Sequence, residues 1–143
     1  EQHTPESHLI PRLLNAAMAG SPVEIYGTDY ATPDGTCIRD YIHVTDLACA
    51  HVAALEHLLN GRPGGAFNLG QGQGFSVREV IRKAAEMTGR PTPLREAARR
   101  PGDAPVLIAS NEKARRELGW TPVHSSLENI LATAWQWHQR RRY

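Results

Sequence analysis

The feature that most restricts the fold of this chain is its alternation of capped amphipathic helices with short runs of β-favouring residues. The clearest helix is predicted to follow Ser76, which forms a capping box with Glu79, and to end at Gly89. Apolar spacing and end signals predict four further helices, near residues 8–19, 46–59, 111–118 and 125–138. Strands are predicted between them, at residues 23–26, 37–44, 66–69, 93–97 and 106–109. This alternation predicts an α/β or α+β fold.

Two of the other helices carry specific expectations about their ends and faces. Thr45 is predicted to cap the second helix, and Ser125 to form a capping box with Glu128 at the start of the last. The second helix is predicted to place one group of apolar residues on a single face, namely Val52, Leu55 and Leu59.

Composition limits the class of protein. The 143 residues suit one domain, 1–143, and are 41% hydrophobic and 22% charged. A formal net charge of +1 gives no indication of a nucleic-acid partner. No apolar run approaches the roughly 20 residues of a membrane span. Cys37 and Cys49 are expected to be small core residues in a reducing compartment, which predicts a cytoplasmic location.

Residues 34–47 combine a turn, a strand-like run and a helix start within 14 positions. Arg39 lies inside the strand-like part, between the turn and the helix N-terminus. An arginine in this setting is well placed to bind a phosphate. The alternative is a surface ion pair between Arg39 and Asp40 or Asp46.

Residues 99–103, RRPGD, form a second candidate segment. Its Pro-Gly pair predicts a tight turn that aims Arg100 and Asp103 to the same side. A guanidinium suits a diphosphate because it donates two parallel hydrogen bonds, and a carboxylate can accept from ribose hydroxyls. The alternative is a solvated Arg–Asp turn. Together with the Arg39 segment, the ligand-binding interpretation is favoured.

Other chemistry is not indicated. The glycines of residues 70–74 do not form G-x-G-x-x-G, so the segment is interpreted as a flexible connection between a strand and a helix. The histidines lack metal-ligand spacing, and no metal site or catalytic residue is predicted. The chain has no Tyr-x-x-x-Lys and no initiator Met, and it is expected to be a fragment.

Five segments, in this order, resemble the C-terminal half of nucleotide-sugar epimerases in the extended short-chain dehydrogenase/reductase family. They are PESHLIP at 5–11, IYGTDY at 25–30, DGTCIRDYIHV at 34–44, FNLG at 67–70 and RRPGD at 99–103. The similarity covers essentially the whole chain. It implies an α/β fold with the NAD-binding Rossmann half missing from this chain.

The resemblance also implies roles for individual residues. Arg39 and Arg100 correspond to arginines on the substrate diphosphate, and Asp103 to a carboxylate on the uridine ribose. Tyr26 falls where the family has an aromatic residue beside the uracil ring. Leu9 matches a segment lining the nucleotide pocket. His8 stands where the family often has Asn, so its role in substrate binding is the least supported.

Leu107 occupies a position near the hexose that is a bulky Tyr in some members of the family. A smaller residue leaves room for an N-acetyl group, which predicts tolerance of UDP-N-acetylhexosamines by the full-length enzyme. The resemblance implies NAD-dependent epimerisation at C4 of UDP-glucose and UDP-galactose. The cofactor NAD is expected on the missing half, so the isolated chain is expected to be inactive.

Two alternatives remain open from the sequence. The alternatives to an epimerase half are part of a related nucleotide-sugar dehydratase or decarboxylase, and a noncatalytic nucleotide-sugar-binding or assembly module. Without its Rossmann half, it is also expected to expose a strand edge at residues 66–69. This exposure predicts a homo-oligomer or a dimer that exchanges an element.

Overall fold

The structure is a computed structural model that describes residues 6–140. It contains five helices in this range: α1 (Leu9–Ala19), α2 (Val44–Leu59), α3 (Val77–Thr88), α4 (Glu112–Leu118) and α5 (Leu127–Arg140). Its strands are β1 (Val23–Tyr26), β2 (Ile38–Arg39), β3 (Phe75–Ser76), β4 (Leu94–Ala97) and β5 (Val106–Leu107). Pro5 of the PESHLIP segment and the N-terminal residues before it lie outside the described residues.

The strands form two small sheets. In the first, β1 pairs with β4 in parallel from Val23↔Leu94 to Tyr26↔Ala97. In the second, β2 is central. It pairs antiparallel with β3 and parallel with β5, where Arg39 is opposite Leu107. The mixed α/β architecture expected from the sequence is confirmed.

Two apolar clusters hold these elements together. The main core joins α1, β1, α3 and α5, and its most deeply buried side chains are Leu13, Leu14, Ile25, Val80, Leu127 and Leu131. A second cluster of Ala50, Ala114 and Trp120 joins α2 to α4. Apolar residues at helical spacing on α3 and α5 therefore face the core, as their periodicity predicts.

The predicted ends of α3 are confirmed. Ser76 Oγ accepts a hydrogen bond from the Glu79 amide at 3.0 Å, and Glu79 Oε2 accepts one from the Ser76 amide at 2.7 Å. Gly89 closes the helix in the left-handed conformation, at a φ of 66°. This reciprocal capping satisfies two amides that a helix N-terminus leaves unpaired.

The predicted cap of α2 is wrong. His43 is the N-cap, and its Nδ1 accepts a hydrogen bond from the Thr45 amide at 3.1 Å. Asp46 is buried and turns away from its own helix to accept from the amides of Val123 and His124 at 3.2 and 2.9 Å. The imidazole of His43, two residues earlier, therefore replaces Thr45 in the capping role.

The capping box predicted at the start of α5 is also wrong. The Ser125 hydroxyl donates to Asp46 and accepts from the His43 amide, so it joins α5 to α2. Ser126 supplies the local cap instead, since its Oγ accepts from the Asn129 amide at 3.2 Å. Glu128 lies 2.8 Å from the Lys83 ammonium of α3.

Three predicted strands are clearly shortened or absent. The strand expected at 37–44 is limited to β2, the strand expected at 106–109 is limited to β5, and residues 66–69 form no strand. The β-favouring side chains of these segments serve packing: Tyr41 contacts the main core, and Phe67 and Leu69 contact the second cluster. The two-residue strand β3 was not predicted, because two residues carry no detectable period.

The face of α2 predicted to be apolar points outward. Val52 and Leu55 are each 57% exposed and Leu59 is 77% exposed. Cys37, just before β2, is buried as expected. Cys49 on α2 is exposed, so the expectation of two core cysteines is wrong for Cys49. No helix within residues 6–140 is long and apolar enough to cross a membrane.

Candidate functional site

Arg39 lies on the central strand β2, and its side chain reaches the segment that precedes β5. Its Nη1 donates to the carbonyls of Ile38 and Ala104, each at 2.8 Å, and its Nη2 lies 3.4 Å from Asp103 Oδ1. The alternative ion pair with Asp40 or Asp46 is wrong, because the carboxylate that Arg39 faces is that of Asp103. The segment that precedes β5 therefore holds the Arg39 side chain in place.

The turn at residues 99–103 has the predicted geometry. Gly102 adopts a positive φ of 84°, and the Asp103 amide donates to the Arg100 carbonyl at 3.2 Å. Arg100 Nε donates to Asp103 Oδ2 at 2.9 Å. The prediction that Arg100 and Asp103 lie on the same side of the turn is confirmed.

One carboxylate is shared between two guanidinium groups. Asp103 Oδ1 faces Arg39 and Asp103 Oδ2 faces Arg100, and the Asp103 side chain is only 21% exposed. The three side chains together carry a net charge of +1, and the carboxylate brings two cations close to each other. Such a cluster favours an anion with several oxygens, because each guanidinium can donate two parallel hydrogen bonds.

Tyr26 joins this cluster from the end of β1. The Arg100 guanidinium lies 4.9 Å from the centre of the Tyr26 ring, within the range of a cation–π contact. The Tyr26 hydroxyl donates to Glu24 at 2.6 Å, which fixes the tilt of the ring. The structure thus brings together four predicted residues, Tyr26, Arg39, Arg100 and Asp103, from separate parts of the chain.

The three other predicted residues occupy different surroundings. Leu107 is opposite Arg39 in the β2–β5 register and is 63% exposed. His8 contacts Glu6 through its amide and its ring at 2.8 and 3.0 Å. Leu9 is partly buried against the main core. The roles of His8 and Leu9 in ligand binding stay predictions.

Two further features of the site do not follow from the sequence alone. Burial raises the pKa of Tyr41 to about 12 although the nearby Arg39 charge acts in the opposite direction. Tyr41 is therefore a neutral phenol beside Arg39. Arg99 also binds the loop after β1, through Asp29 and Tyr30. The two arginines at 99 and 100 can be recognised in the sequence, but the sequence does not show which part of the chain each of them contacts.

The start of α3 does not suit a dinucleotide. Its first amides are already hydrogen-bonded, with the Val77 amide donating to the Cys37 carbonyl and the Arg78 amide facing the Thr36 hydroxyl. Gly74 lies against β2, where an added Cβ would be 2.5 Å from Ile38. No group of three or more His, Cys, Asp or Glu side chains within the described range is arranged to hold a metal ion.

Comparison with known proteins gives matches along nearly the whole chain. A sequence model described as the NAD dependent epimerase/dehydratase family matches residues 1–70. The UDP-glucose 4-epimerase of Halalkalibacterium halodurans is 54% identical over 140 residues, which are 97% of this chain and 42% of that protein. The chain therefore spans about two fifths of the length of the curated relatives it matches.

Solved structures agree with this similarity. UDP-glucose 4-epimerase from Brucella ovis in complex with NAD is 50% identical, with a TM-score of 0.88 over 94% of this chain and 43% of that one. The enzyme from Bifidobacterium longum in complex with NAD+ and UDP is 40% identical, with a TM-score of 0.86 over 93% of this chain and 39% of that one.

Proposed function

Because the chain is related to UDP-glucose 4-epimerases of the NAD dependent epimerase/dehydratase family, we propose that it forms the part of such an enzyme that binds the uridine diphosphate of UDP-glucose and UDP-galactose. The observation that carries this proposal is the convergence of Arg39, Arg100 and Asp103 beside the Tyr26 ring. Four side chains of this chemistry suit the phosphates, the ribose and the base of one nucleotide.

Each residue has a distinct proposed role. Arg39 and Arg100 bind the diphosphate, and Asp103, once released from one of its two arginines, accepts from the ribose hydroxyls. The Tyr26 ring stacks against the uracil, where apolar contact area fixes the orientation of the base. These contacts place the hexose at a constant distance from the point of reaction, which is the contribution of binding to catalysis.

The cofactor is expected on another part of the complete enzyme. NAD supplies hydride exchange at C4 when it is bound. The occupied amides at the start of α3 offer no cradle for its pyrophosphate. We therefore assign NAD to a part of the complete enzyme outside these 143 residues, and we propose that the 143 residues alone are inactive. Because Cys37 and Cys49 are both free, we also assign the protein to the cytoplasm, a reducing compartment.

Calorimetric titration of the chain with UDP tests the binding site. We expect Arg39→Ala and Arg100→Ala each to weaken UDP binding by about 10- to 100-fold, the range for losing a hydrogen bond to a charged group. The control is Arg78→Ala, which removes an exposed arginine paired with Glu96 at 2.7 Å outside the site. Absence of binding by the wild type, or equal binding by Arg39→Ala, would refute the proposal.

A noncatalytic binding module is the second candidate, because the convergence of Tyr26, Arg39, Arg100 and Asp103 suits nucleotide binding with or without catalysis. An assay of the complete protein with UDP-galactose separates the two, because only an epimerase converts it to UDP-glucose. A related dehydratase or decarboxylase would not convert UDP-galactose to UDP-glucose.

The same assay with UDP-N-acetylglucosamine tests the role of Leu107. Its side chain is far smaller than a Tyr, so we expect turnover of the acetylated sugar as well as of UDP-glucose. Leu107→Tyr is expected to reduce the turnover of the acetylated sugar selectively. Failure of the wild-type protein to convert it would refute the expected tolerance.

A further inference from the structure

Arg99 and Arg100 are neighbours in sequence that make contacts in different parts of the molecule. Arg100 faces Tyr26 and Asp103, whereas Arg99 reaches the loop that follows β1. Arg99 Nε donates to Asp29 Oδ1 at 2.7 Å, and Arg99 Nη2 donates to the Asp29 carbonyl. A guanidinium bound through two of its nitrogens is fixed in direction as well as in place.

The other side of the Arg99 guanidinium rests on an aromatic ring. The guanidinium carbon lies 4.3 Å from the centre of the Tyr30 ring, and Tyr30 is only 5% exposed. Gly27 allows this arrangement, because a Cβ at that position would be 2.5 Å from the Tyr30 ring and 2.7 Å from Arg99 Cγ. The loop therefore fixes the position of the Arg99 guanidinium.

The contacts of Arg99 with Asp29 and Tyr30 matter because few other contacts hold the segment between β4 and β5. Backbone hydrogen bonds hold its two ends, from the Gly27 amide to the Ala97 carbonyl at 2.9 Å and from the Ile38 amide to the Pro105 carbonyl at 2.8 Å. Between these ends, within the described residues, hydrogen bonds from Arg99 and Arg39 tie the segment to the rest of the chain.

Arg39 is one of the two arginines proposed above to bind the diphosphate. Once Arg39 exchanges its contacts with Ala104 and Asp103 for the ligand, Arg99 becomes the main anchor of the turn. We propose that Arg99, through its contacts with Asp29 and Tyr30, is a positioning residue that holds the 99–103 turn so that Arg100 and Asp103 contact the nucleotide. This inference rests on the proposed function, since it assumes that Arg100 binds the diphosphate. Arg99 itself is not assigned any contact with the ligand.

Asp29→Ala gives the sharpest test, because two mechanisms predict opposite signs. Removal of a negative charge near a site for an anion would strengthen UDP binding by electrostatics alone. Loss of the contact that holds Arg99 in position would weaken UDP binding. We expect calorimetric titration of the 143-residue chain to show UDP affinity reduced by about five- to tenfold, the size of the one side-chain hydrogen bond that the substitution removes. Tighter or unchanged binding would overturn the proposal.

Arg99→Lys tests the same idea independently of Asp29. Lysine keeps the charge but not the two-nitrogen contact or the planar stacking on Tyr30. A positioning role therefore predicts that Lys weakens UDP binding about as much as Ala does, whereas a direct charge contact predicts that Lys restores it. A second readout is the double variant with Arg100→Ala, in which Arg99→Ala should have little further effect on affinity.

The controls separate this inference from the proposed function. Arg78→Ala should bind UDP as the wild type does, and thermal unfolding should confirm that each variant is folded. If the wild type binds UDP and Arg100→Ala weakens binding while Arg99→Lys does not, the positioning role alone is wrong. If the wild type does not bind UDP, the proposed function fails and the inference fails with it.

Discussion

At the scale of single residues, Asp46 shows how a buried charge can be accommodated. Its side chain is 1% exposed, and burial acts to raise its pKa. Hydrogen bonds from the Ser125 hydroxyl and the amides of Val123 and His124 outweigh burial and hold the pKa below the usual 3.8. The carboxylate thereby joins the start of α2 to the chain before α5.

The lowered pKa fixes the sign of a pH effect. The stabilisation that Asp46 gives is present above the pKa of the unfolded chain and is lost as pH falls through the folded pKa. We expect Asp46→Asn to lower the free energy of unfolding by about 2–3 kcal/mol at pH 7, because an amide cannot accept three hydrogen bonds there. The difference should narrow towards pH 3.

Urea unfolding at pH 7 and pH 3 measures this narrowing. Glu56→Gln is the matched control, since Glu56 is an exposed carboxylate on the same helix. A loss of stability for Asp46→Asn that is equal at both pH values would show that the ionised carboxylate is not responsible.

At the scale of elements, the glycine segment between residues 70 and 74 supports β2 directly. A Cβ at position 74 would be 2.5 Å from Ile38 Cγ2 and 3.1 Å from the Arg39 carbonyl. Gly72 has open space around it, although its φ is +74°. These two glycines therefore serve different purposes, close packing at 74 and a left-handed backbone at 72.

The pair predicts a difference between two substitutions. Gly74→Ala should displace β2, lower the free energy of unfolding by about 1–3 kcal/mol and weaken UDP binding, because β2 carries Arg39. Gly72→Ala should cost about 1 kcal/mol of backbone strain and leave UDP affinity unchanged. Thermal unfolding and calorimetry on both variants measure the two effects. Equal UDP affinity in Gly74→Ala and the wild type would contradict the contact with β2.

Local signals predicted helices better than strands, for a physical reason. The capping box at Ser76 and the left-handed glycines at 20, 89 and 119 act within one turn of backbone, so they can be recognised in the sequence. Strands of two residues depend on partners distant in the chain. The Arg100–Asp103 geometry was predictable from its Pro-Gly turn, whereas the meeting of Arg39 with Asp103 needs the β2–β5 pairing.

At the scale of the whole molecule, α2 leaves a large part of its apolar surface uncovered. More than half of the side-chain surface is exposed for each of Val44, Val52, Leu55, Leu58 and Leu59. Contiguous apolar surface of this kind is typical of a face that another chain or domain covers. This face therefore predicts self-association of the isolated chain, and it replaces the strand edge expected at 66–69, where no strand forms.

Light scattering measures that association. We expect the isolated chain to form dimers or larger species at micromolar concentration, and the double substitution Leu55→Lys and Leu59→Lys to shift it towards the monomer. Met18→Lys is the control, because Met18 is a partly exposed apolar residue on α1. A clean wild-type monomer under these conditions would contradict the expectation.

The assembly of the candidate site from β1, β2 and the turn before β5 couples ligand binding to folding. Residues 26, 39, 100 and 103 meet only when all three segments are in place. A nucleotide that binds only this arrangement stabilises it by mass action, by about 2.7 kcal/mol at a concentration 100 times its Kd. The concentration of such a ligand in the cell would then help to set how much of the protein survives proteolysis, so that a small molecule would govern the abundance of the protein that binds it.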